Sequence, residues 1–189
     1  IIAPEIFPIP PIKGGAVEAW VDNVAHQMSK FEINILSIQD GILPLRSKEA
    51  HVNYFRYKKS LLDKLFLISY KLPFKNSGSF LYWLLYSFWC AKLCQKIKPQ
   101  IIHIHNRWQF IPIINKLNPH SKILLHIHQL SALNFSPKQI RFLKKGIDAF
   151  IGCSNFIVAK IKERMKIDYA QTFVVRNGVD INEFCPVSI

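Results

Sequence analysis

Two apolar segments of the sequence carry histidines in the same alternating pattern. His103 and His105 occupy alternate positions in one segment, and His126 and His128 do so in the other. Because successive side chains of a strand point to opposite faces, the two members of each pair are predicted to share a face. Ligands of open α/β sheets bind beyond the carboxyl ends of the strands, so the outer histidines, His105 and His128, are predicted to contact a ligand. The inner two are expected to be buried and hydrogen-bonded.

Two polar residues, Asn106 and Arg107, directly follow the first of these segments. The guanidinium of an arginine can bind a phosphate or a carboxylate through two parallel hydrogen bonds. We therefore expect both residues to join the outer histidines in the ligand site.

Four imidazoles from neighbouring strands raise the alternative of a metal site, as in metal-dependent hydrolases. Such sites normally add Asp or Glu ligands and a carboxylate base. Residues 101–117 and 122–140 contain neither Asp nor Glu. The sequence therefore predicts no metal site, and a metal-dependent hydrolase is kept as an alternative function.

A pair of glycines, Gly14 and Gly15, ends a proline-rich loop and precedes a predicted helix. Glycines let backbone N–H groups approach a phosphate closely, and the N-terminus of a helix favours negative charge. The spacing matches neither the dinucleotide-binding GxGxxG motif nor a Walker P-loop. The pair predicts either a phosphate site or a simple turn before the helix.

Short apolar runs rich in β-branched residues alternate with longer amphipathic runs, which is typical of a parallel sheet covered by helices on both faces. The predicted strands are residues 1–3, 32–38, 51–57, 100–105, 122–128, 149–153 and 172–175. Helices are predicted over residues 16–30, directly after the glycines, and over residues 154–166, where Ser154 is a good N-cap. The sequence therefore predicts a Rossmann-like α/β domain whose strand ends carry the histidines.

The stretch between residues 80 and 89 is almost entirely apolar and rich in aromatic residues, but it is too short to span a bilayer. One interpretation is a long helix packed against the sheet. The alternative is a membrane-surface helix, with Trp83, Tyr86 and Trp89 at headgroup depth. Anionic lipid would then attract a group of nearby lysines: Lys58, Lys59, Lys64, Lys71 and Lys75.

The composition indicates which kinds of binding partner and which cellular compartment to expect. The 189 residues are 50% hydrophobic, enough for a substantial core, and the formal net charge of +13 favours anionic partners. No zinc finger, RNP motif or helix-turn-helix signal accompanies this charge, so we predict no nucleic-acid partner. The four cysteines form no Cys-x-x-Cys pair, which indicates a reducing cytoplasm. Because Ile1 already lies in a strand-like run, we expect the natural start of the protein to be missing.

Four segments together resemble glycosyltransferase family 4, which comprises retaining enzymes of the GT-B fold. They are Gly-Gly-Ala-Val-Glu at 14–18, His-Ile-His-Asn at 103–106, Leu-His-Ile-His at 125–128, and the closing Val-Val-Arg-Asn-Gly-Val-Asp-Ile-Asn-Glu-Phe-Cys-Pro at 174–186. In the family, the Asn-Gly-Val-Asp segment marks the passage between the two domains, although Arg176 here replaces a proline. The resemblance implies that residues 1–175 form the N-terminal, acceptor-side domain, and that residues 176–189 begin the linker to a donor-binding domain.

The resemblance also implies a reaction and a distribution of roles. A hexose-type sugar would move, with retention and without a cofactor, from a nucleotide-sugar donor, UDP-linked, to an anionic glycan or glycolipid acceptor. His128 would be the catalytic residue that contacts the transferred sugar. The donor phosphates would contact Gly14, Gly15 and Asn177, and the acceptor would contact His105, Asn106, Arg107 and Glu18.

The opening residues are similar to those of bacterial enzymes that build lipopolysaccharide core or other surface glycans. This similarity implies a cytoplasmic location, at the inner face of the inner membrane and in contact with its anionic surface. The residues 1–189 alone are expected to be inactive, because transition-state contacts need both domains. A non-catalytic module that binds phosphate or glycan is the second alternative function.

Overall fold

The computed structural model describes residues 1–61, 63, 77–167 and 171–178, and the side chains of residues 77–82 lie outside the description. The described strands are β1 (Ile33–Ile38), β2 (Arg46–Glu49), β3 (Val52–Tyr57), β4 (Ile101–His105), β5 (Lys122–Ile127), β6 (Ala149–Gly152) and β7 (Thr172–Val174). The described α-helices are α1 (Ala16–Gln27), α2 (Ser77–Ile97), α3 (Ile111–Leu117), α4 (Pro137–Gly146) and α5 (Asn155–Met165). Short 3₁₀ turns cover Trp108–Phe110 and Leu130–Leu133.

The strands form two groups that the N-terminal residues join. One group has the order β2-β3-β1 and the other the order β4-β5-β6-β7, with all pairs parallel except β2 against β3. Ile2 lies between the groups and makes parallel bridges to Leu36 of β1 and Ile104 of β4. Its N–H donates to the carbonyl of His103 at 2.7 Å, and its own carbonyl accepts from the N–H of His105 at 3.1 Å. The predicted first strand thus forms, but as a short central bridge.

The predicted parallel α/β sheet is confirmed, and the largest difference is β2. Its sequence, Arg-Ser-Lys-Glu, has no β-branched or aromatic residue and is mostly exposed. This edge strand is stabilised by its backbone hydrogen bonds to β3 and not by burial of one face. A pattern of hydrophobic residues therefore could not predict it. A smaller difference is the end of α1 at Gln27, three residues before the predicted end.

Helices cover both faces of the sheet. On one face, Val21 and Ala25 of α1 pack with Ile35 of β1 and Tyr54 of β3. On the other face, α2 and α3 pack over a cluster that includes Leu36 of β1. Since alternate residues point to opposite faces, the histidines of β4 and β5 lie on the α1 side.

The aromatic segment packs as part of α2 against the sheet, as the first interpretation predicts. Tyr86 is fully buried, and its hydroxyl donates to the carbonyls of Ala3 and Leu36 at 3.2 and 3.1 Å. Tyr86 therefore does not lie at headgroup depth, and that part of the membrane-surface interpretation is wrong. Trp83 and Trp89 are half-buried against the same core. Lys64, Lys71 and Lys75 lie outside the described residues.

No helix within the described part of the chain is long and apolar enough to cross a membrane.

Candidate functional site

Four imidazoles and one indole form a compact cluster at the carboxyl ends of β4 and β5. The ring centroids of His103 and His105 are 4.4 Å apart, and those of His126 and His128 are 4.0 Å apart, so both pairs share a face as predicted. The register of the parallel strands sets His105 opposite His126. Trp20 of α1 packs against all four rings, with centroid distances from 4.9 to 6.5 Å. We call these five residues the histidine cluster.

Burial keeps the histidine cluster neutral at pH 7. Loss of hydration is the largest cause of every shift, because a charged imidazole is poorly solvated there. It lowers the pKa of His128 to about 4, that of His103 to about 3 and that of His126 to about 2. The pKa of His105 is also held well below its ordinary value, with the neighbouring histidines adding to the effect of burial.

The hydrogen bonds of the histidine cluster differ from the expected ones. His126 is buried as predicted, but neither of its ring nitrogens has a hydrogen-bond partner among the described residues, so the expectation that it is hydrogen-bonded is wrong. The Nε2 atoms of His103 and His105 also lack partners. Although His105 is an outer histidine, it has no exposed surface, and its Nδ1 lies 2.9 Å from Nε2 of His128. The half-buried His128 is therefore the better placed of the outer pair to contact a ligand.

Asn106 fixes the position of His128. It adopts a left-handed backbone with φ of +57°, which asparagine tolerates better than most residues. Its Oδ1 accepts the backbone N–H of His128 at 2.8 Å, and its own N–H donates to the carbonyl of His126 at 2.8 Å. Asn106 is 6% exposed, so the structure gives it a positioning contact with His128 in addition to any ligand contact.

Arg107 forms an ion pair with a residue of the proline-rich loop. Its Nε–H donates to Oε2 of Glu5 at 2.7 Å, and its guanidinium lies 5.6 Å from the ring centroid of Trp83. The two side chains of the ion pair are 18% and 4% exposed. An anion that bound side-on through two hydrogen bonds would need this same Nε–H group. In the structure that group already donates to Glu5, so it is not available for such binding.

The glycine pair forms the turn that starts α1. The φ angles of Gly14 and Gly15 are +81° and +110°, and the N–H of Gly14 donates to the carbonyl of Pro11 at 2.9 Å. Glu18 lies in the first turn of the helix and is 3% exposed. Burial raises the pKa of Glu18, while a hydrogen bond to its own backbone and the charge of Arg107 oppose the rise. The two glycines therefore form a turn before the helix, and their contact with a phosphate stays a prediction. A buried carboxyl lies in the first turn of the helix.

Replacing Gly15 with alanine is expected to destabilise the protein by about 1–3 kcal/mol, since positive φ strains a Cβ and the space is filled. A Cβ there would overlap Oε2 of Glu18 and lie 3.1 Å from Cδ2 of Phe7. Gly14→Ala is the matched control, because a Cβ at Gly14 meets no atom within 4 Å. Urea unfolding measures both, and equal losses would contradict the proposed crowding at Gly15.

Asn177 lies in exposed coil after β7, two residues beyond the hydrogen bond from the N–H of Val175 to the carbonyl of Gly152. The contact of Asn177 with donor phosphates stays a prediction. Residues 179–189, the rest of the predicted linker, lie outside the described residues.

An apolar cavity of about 680 Å³ that the sequence did not predict lies beside the ion pair. Its walls combine two tryptophans and a phenylalanine with amide and ammonium groups: Trp83, Trp108, Gln109, Pro112, Lys138, Gln139, Phe142 and Leu143. The cavity adjoins Arg107, which contacts Trp83 and directly precedes Trp108. The position of Trp108 just beyond a strand end was the one signal in the sequence.

Solved structures support the fold assignment. A structure from E. coli described as trehalose-6-phosphate bound with UDP-2-fluoro glucose matches with a TM-score of 0.63 and 12% identity, over 96% of this chain and 49% of that one. An alpha,alpha-trehalose-phosphate synthase (UDP-forming) from Burkholderia vietnamiensis matches with a TM-score of 0.63, 11% identity and the same coverage. The chain thus has the fold of the N-terminal half of a GT-B glycosyltransferase.

Comparison with curated proteins and with family models gives the family. The chain is 26% identical to the putative glycosyltransferase YtcC of Bacillus subtilis (strain 168), over 98% of this chain and 40% of that protein. It is 23% identical to spore coat protein SA of the same organism, over 98% of this chain and 44% of that protein. It therefore spans less than half the length of these relatives. The model of Glycosyltransferase Family 4 matches residues 43–183, well over half of the chain, and the chain belongs to this family.

Proposed function

We propose that this chain is the acceptor-side domain of a retaining glycosyltransferase that moves a hexose-type sugar from a nucleotide-sugar to a glycan or glycolipid. The observation that carries the proposal is the position of His128 at a strand end, with its backbone held by Asn106 and its ring by His105. Ligands of open α/β sheets bind at this edge. Retention is proposed from family membership.

His128 has a role that follows from its charge. Since burial lowers its pKa to about 4, its ring is neutral at pH 7 and does not act as a cationic acid. A neutral imidazole can accept from or donate to a sugar hydroxyl, and its fixed position orients the sugar before the bond to the leaving diphosphate breaks. We assign it this orienting contact with the transferred sugar.

The donor would lie near the start of α1. Negative charge develops on the leaving diphosphate, and free N–H groups at a helix N-terminus stabilise such charge. The turn at Gly14 and Gly15 would let the backbone approach the phosphate. Because the N–H of Gly14 donates to the carbonyl of Pro11, Gly15 and the first turn of α1 would supply the donors, and Asn177 would approach from the interdomain linker. The UDP-sugar named with the E. coli structure supports a UDP-linked donor.

The apolar cavity is proposed as the acceptor site. Flat aromatic walls with a few polar groups are typical of pockets for organic ligands, and Lys138 adds a positive charge. The net charge of +13 favours an anionic acceptor. In this proposal Arg107 and Glu18 contact the acceptor. Asn106 and His105, which are buried, hold His128 in position beside it.

The opening residues and the excess of positive charge support a place in bacterial cell-surface polysaccharide synthesis, at the cytoplasmic face of an anionic membrane. Lipopolysaccharide core is one acceptor of this class.

The test uses the full-length protein with a panel of nucleotide-sugars and isolated surface glycans. We expect turnover with one donor, and a loss of about 100-fold in kcat in His128→Ala, the scale of losing one transition-state contact. His120→Ala is the matched control, because His120 is an exposed histidine outside the site. Donor binding without turnover would favour a non-catalytic module instead, and the absence of both binding and turnover would overturn the proposal.

A further inference from the structure

Several buried ring nitrogens of the histidine cluster lack any hydrogen-bond partner among the described residues. They are both nitrogens of His126 and the Nε2 atoms of His103 and His105. His105 and His126 have no exposed surface. Buried polar atoms of folded proteins are nearly always paired with protein, water or an ion. A group of orphaned nitrogens at one place therefore indicates a missing common partner.

These three histidines converge on a single point. One ring nitrogen from each of His103, His105 and His126 can be chosen so that all three lie within 4.8 Å of one another. Zinc–nitrogen bonds of about 2.0–2.1 Å in tetrahedral geometry place ligating nitrogens about 3.3 Å apart. A bound ion would therefore draw these nitrogens closer together by at most about 1.5 Å. The parallel register of β4 and β5 fixes the backbones that carry them.

One of the three rings, that of His105, already has the hydrogen bond typical of a metal-binding histidine. A ligating histidine normally hydrogen-bonds through its other ring nitrogen, which fixes its orientation. His105 does so, since its Nδ1 lies 2.9 Å from Nε2 of His128 while its Nε2 is left without a partner. Trp20 packs against the rings from α1 and shields them.

We infer that His103, His105 and His126 bind one divalent transition-metal ion, for which zinc is the probe. Imidazole nitrogen suits zinc, nickel, copper and iron, whereas magnesium and calcium require oxygen ligands. The lack of carboxylates in the flanking segments argues against a hydrolase, but three histidines are enough to hold zinc. The ion links the ends of two adjacent strands directly beneath His128. This inference does not depend on the proposed glycosyl transfer.

The experiment uses tag-free full-length protein, stripped with EDTA and dialysed free of chelator. We expect calorimetric titration with zinc to show one site per chain, and bound zinc to raise Tm by several degrees. Magnesium at the same concentration is expected to have no effect. His103→Gln, which replaces the least buried ligand, is expected to weaken zinc binding at least 10-fold. His120→Ala again serves as the matched control.

A second measurement avoids dependence on the folding of the variants. Cobalt(II) added to the stripped wild-type protein is expected to give the intense visible absorption bands of a tetrahedral site. Zinc should displace it in a one-to-one ratio. The inference is overturned if neither metal binds stoichiometrically, or if His103→Gln binds zinc as tightly as the wild type. Both outcomes are independent of sugar transfer, so they leave the proposed function untouched.

Discussion

Lowering the pH from 7 to 5 is expected to remove several kcal/mol from the free energy of unfolding. The four imidazoles of the histidine cluster have folded-state pKa values below the ordinary value of 6.5, because burial lowers the pKa of His128 to about 4, that of His103 to about 3 and that of His126 to about 2. As the pH falls through 6.5, the unfolded chain binds protons that the folded chain excludes, so stability falls. Each group contributes about 1.4 kcal/mol per pH unit in this window.

Two carboxyls, the buried Glu18 and the half-buried Asp22, act in the opposite direction. Burial raises the pKa of Glu18 and of Asp22, so the folded state takes up their protons first as the pH falls. Because carboxyls begin to titrate near the lower end of this window, four histidines outweigh two carboxyls between pH 7 and 5. The net effect is therefore acid destabilisation.

Urea unfolding at half-unit pH steps, in EDTA so that no metal competes with protons, measures this effect. His126→Leu removes one of the titrating groups and is expected to make the pH dependence shallower by about one proton. His120→Ala removes an exposed histidine and should leave the slope unchanged. A free energy of unfolding that stays constant from pH 7 to 5 would show that the histidine cluster is not protected from protons.

Replacing Arg107 with methionine is expected to cost about 3–5 kcal/mol of stability, because it removes the cation that faces a buried carboxylate. Glu5 is 4% exposed and accepts the Nε–H of Arg107 at 2.7 Å. The substitution also removes the contact of the guanidinium with Trp83. Thermal and urea unfolding at pH 7 measure the loss.

A double-mutant cycle separates the ion pair from general packing. Glu5→Gln combined with Arg107→Met is expected to be more stable than Arg107→Met alone, because the carboxylate charge is gone. Lys160→Met is a surface control, since the pair of Lys160 with Glu163 is exposed and should contribute at most about 1 kcal/mol. If the losses of unfolding free energy in the two single variants add up to the loss in the double variant, Glu5 and Arg107 do not stabilise one another.

The sequence alone was enough to predict those features that follow directly from a local pattern of residues. Alternation along a strand predicted that His103 and His105 share a face, because the period of two is a property of the backbone itself. Short apolar runs between longer amphipathic runs predicted the parallel sheet, because strands that helices cover on both faces are apolar along their whole length. Gly14 and Gly15 predicted the turn before α1, since few other residues adopt positive φ readily.

Contacts between distant segments could not be predicted in this way. Glu5 and Arg107 are 102 positions apart, and neither residue type indicates which partner the fold will supply. The approach of Trp20 to the histidines depends on the angle at which α1 crosses the sheet. The burial of His105 follows from the approach of Trp20 and from its contact with His128, which a position at a strand end does not by itself indicate.

The bridging position of Ile2 determines the order in which the domain can assemble. Its hydrogen-bond partners lie on β4, about a hundred residues away, and closing so long a loop is entropically slow compared with forming the β1–β3 pair. The hydrogen bonds of Ile1 and Ala3 with Leu36 of β1 can form early, whereas the pairing of Ile2 with β4 has to wait until β4 has been synthesised. The histidine cluster and the ion pair at Arg107 are consequently completed late in folding.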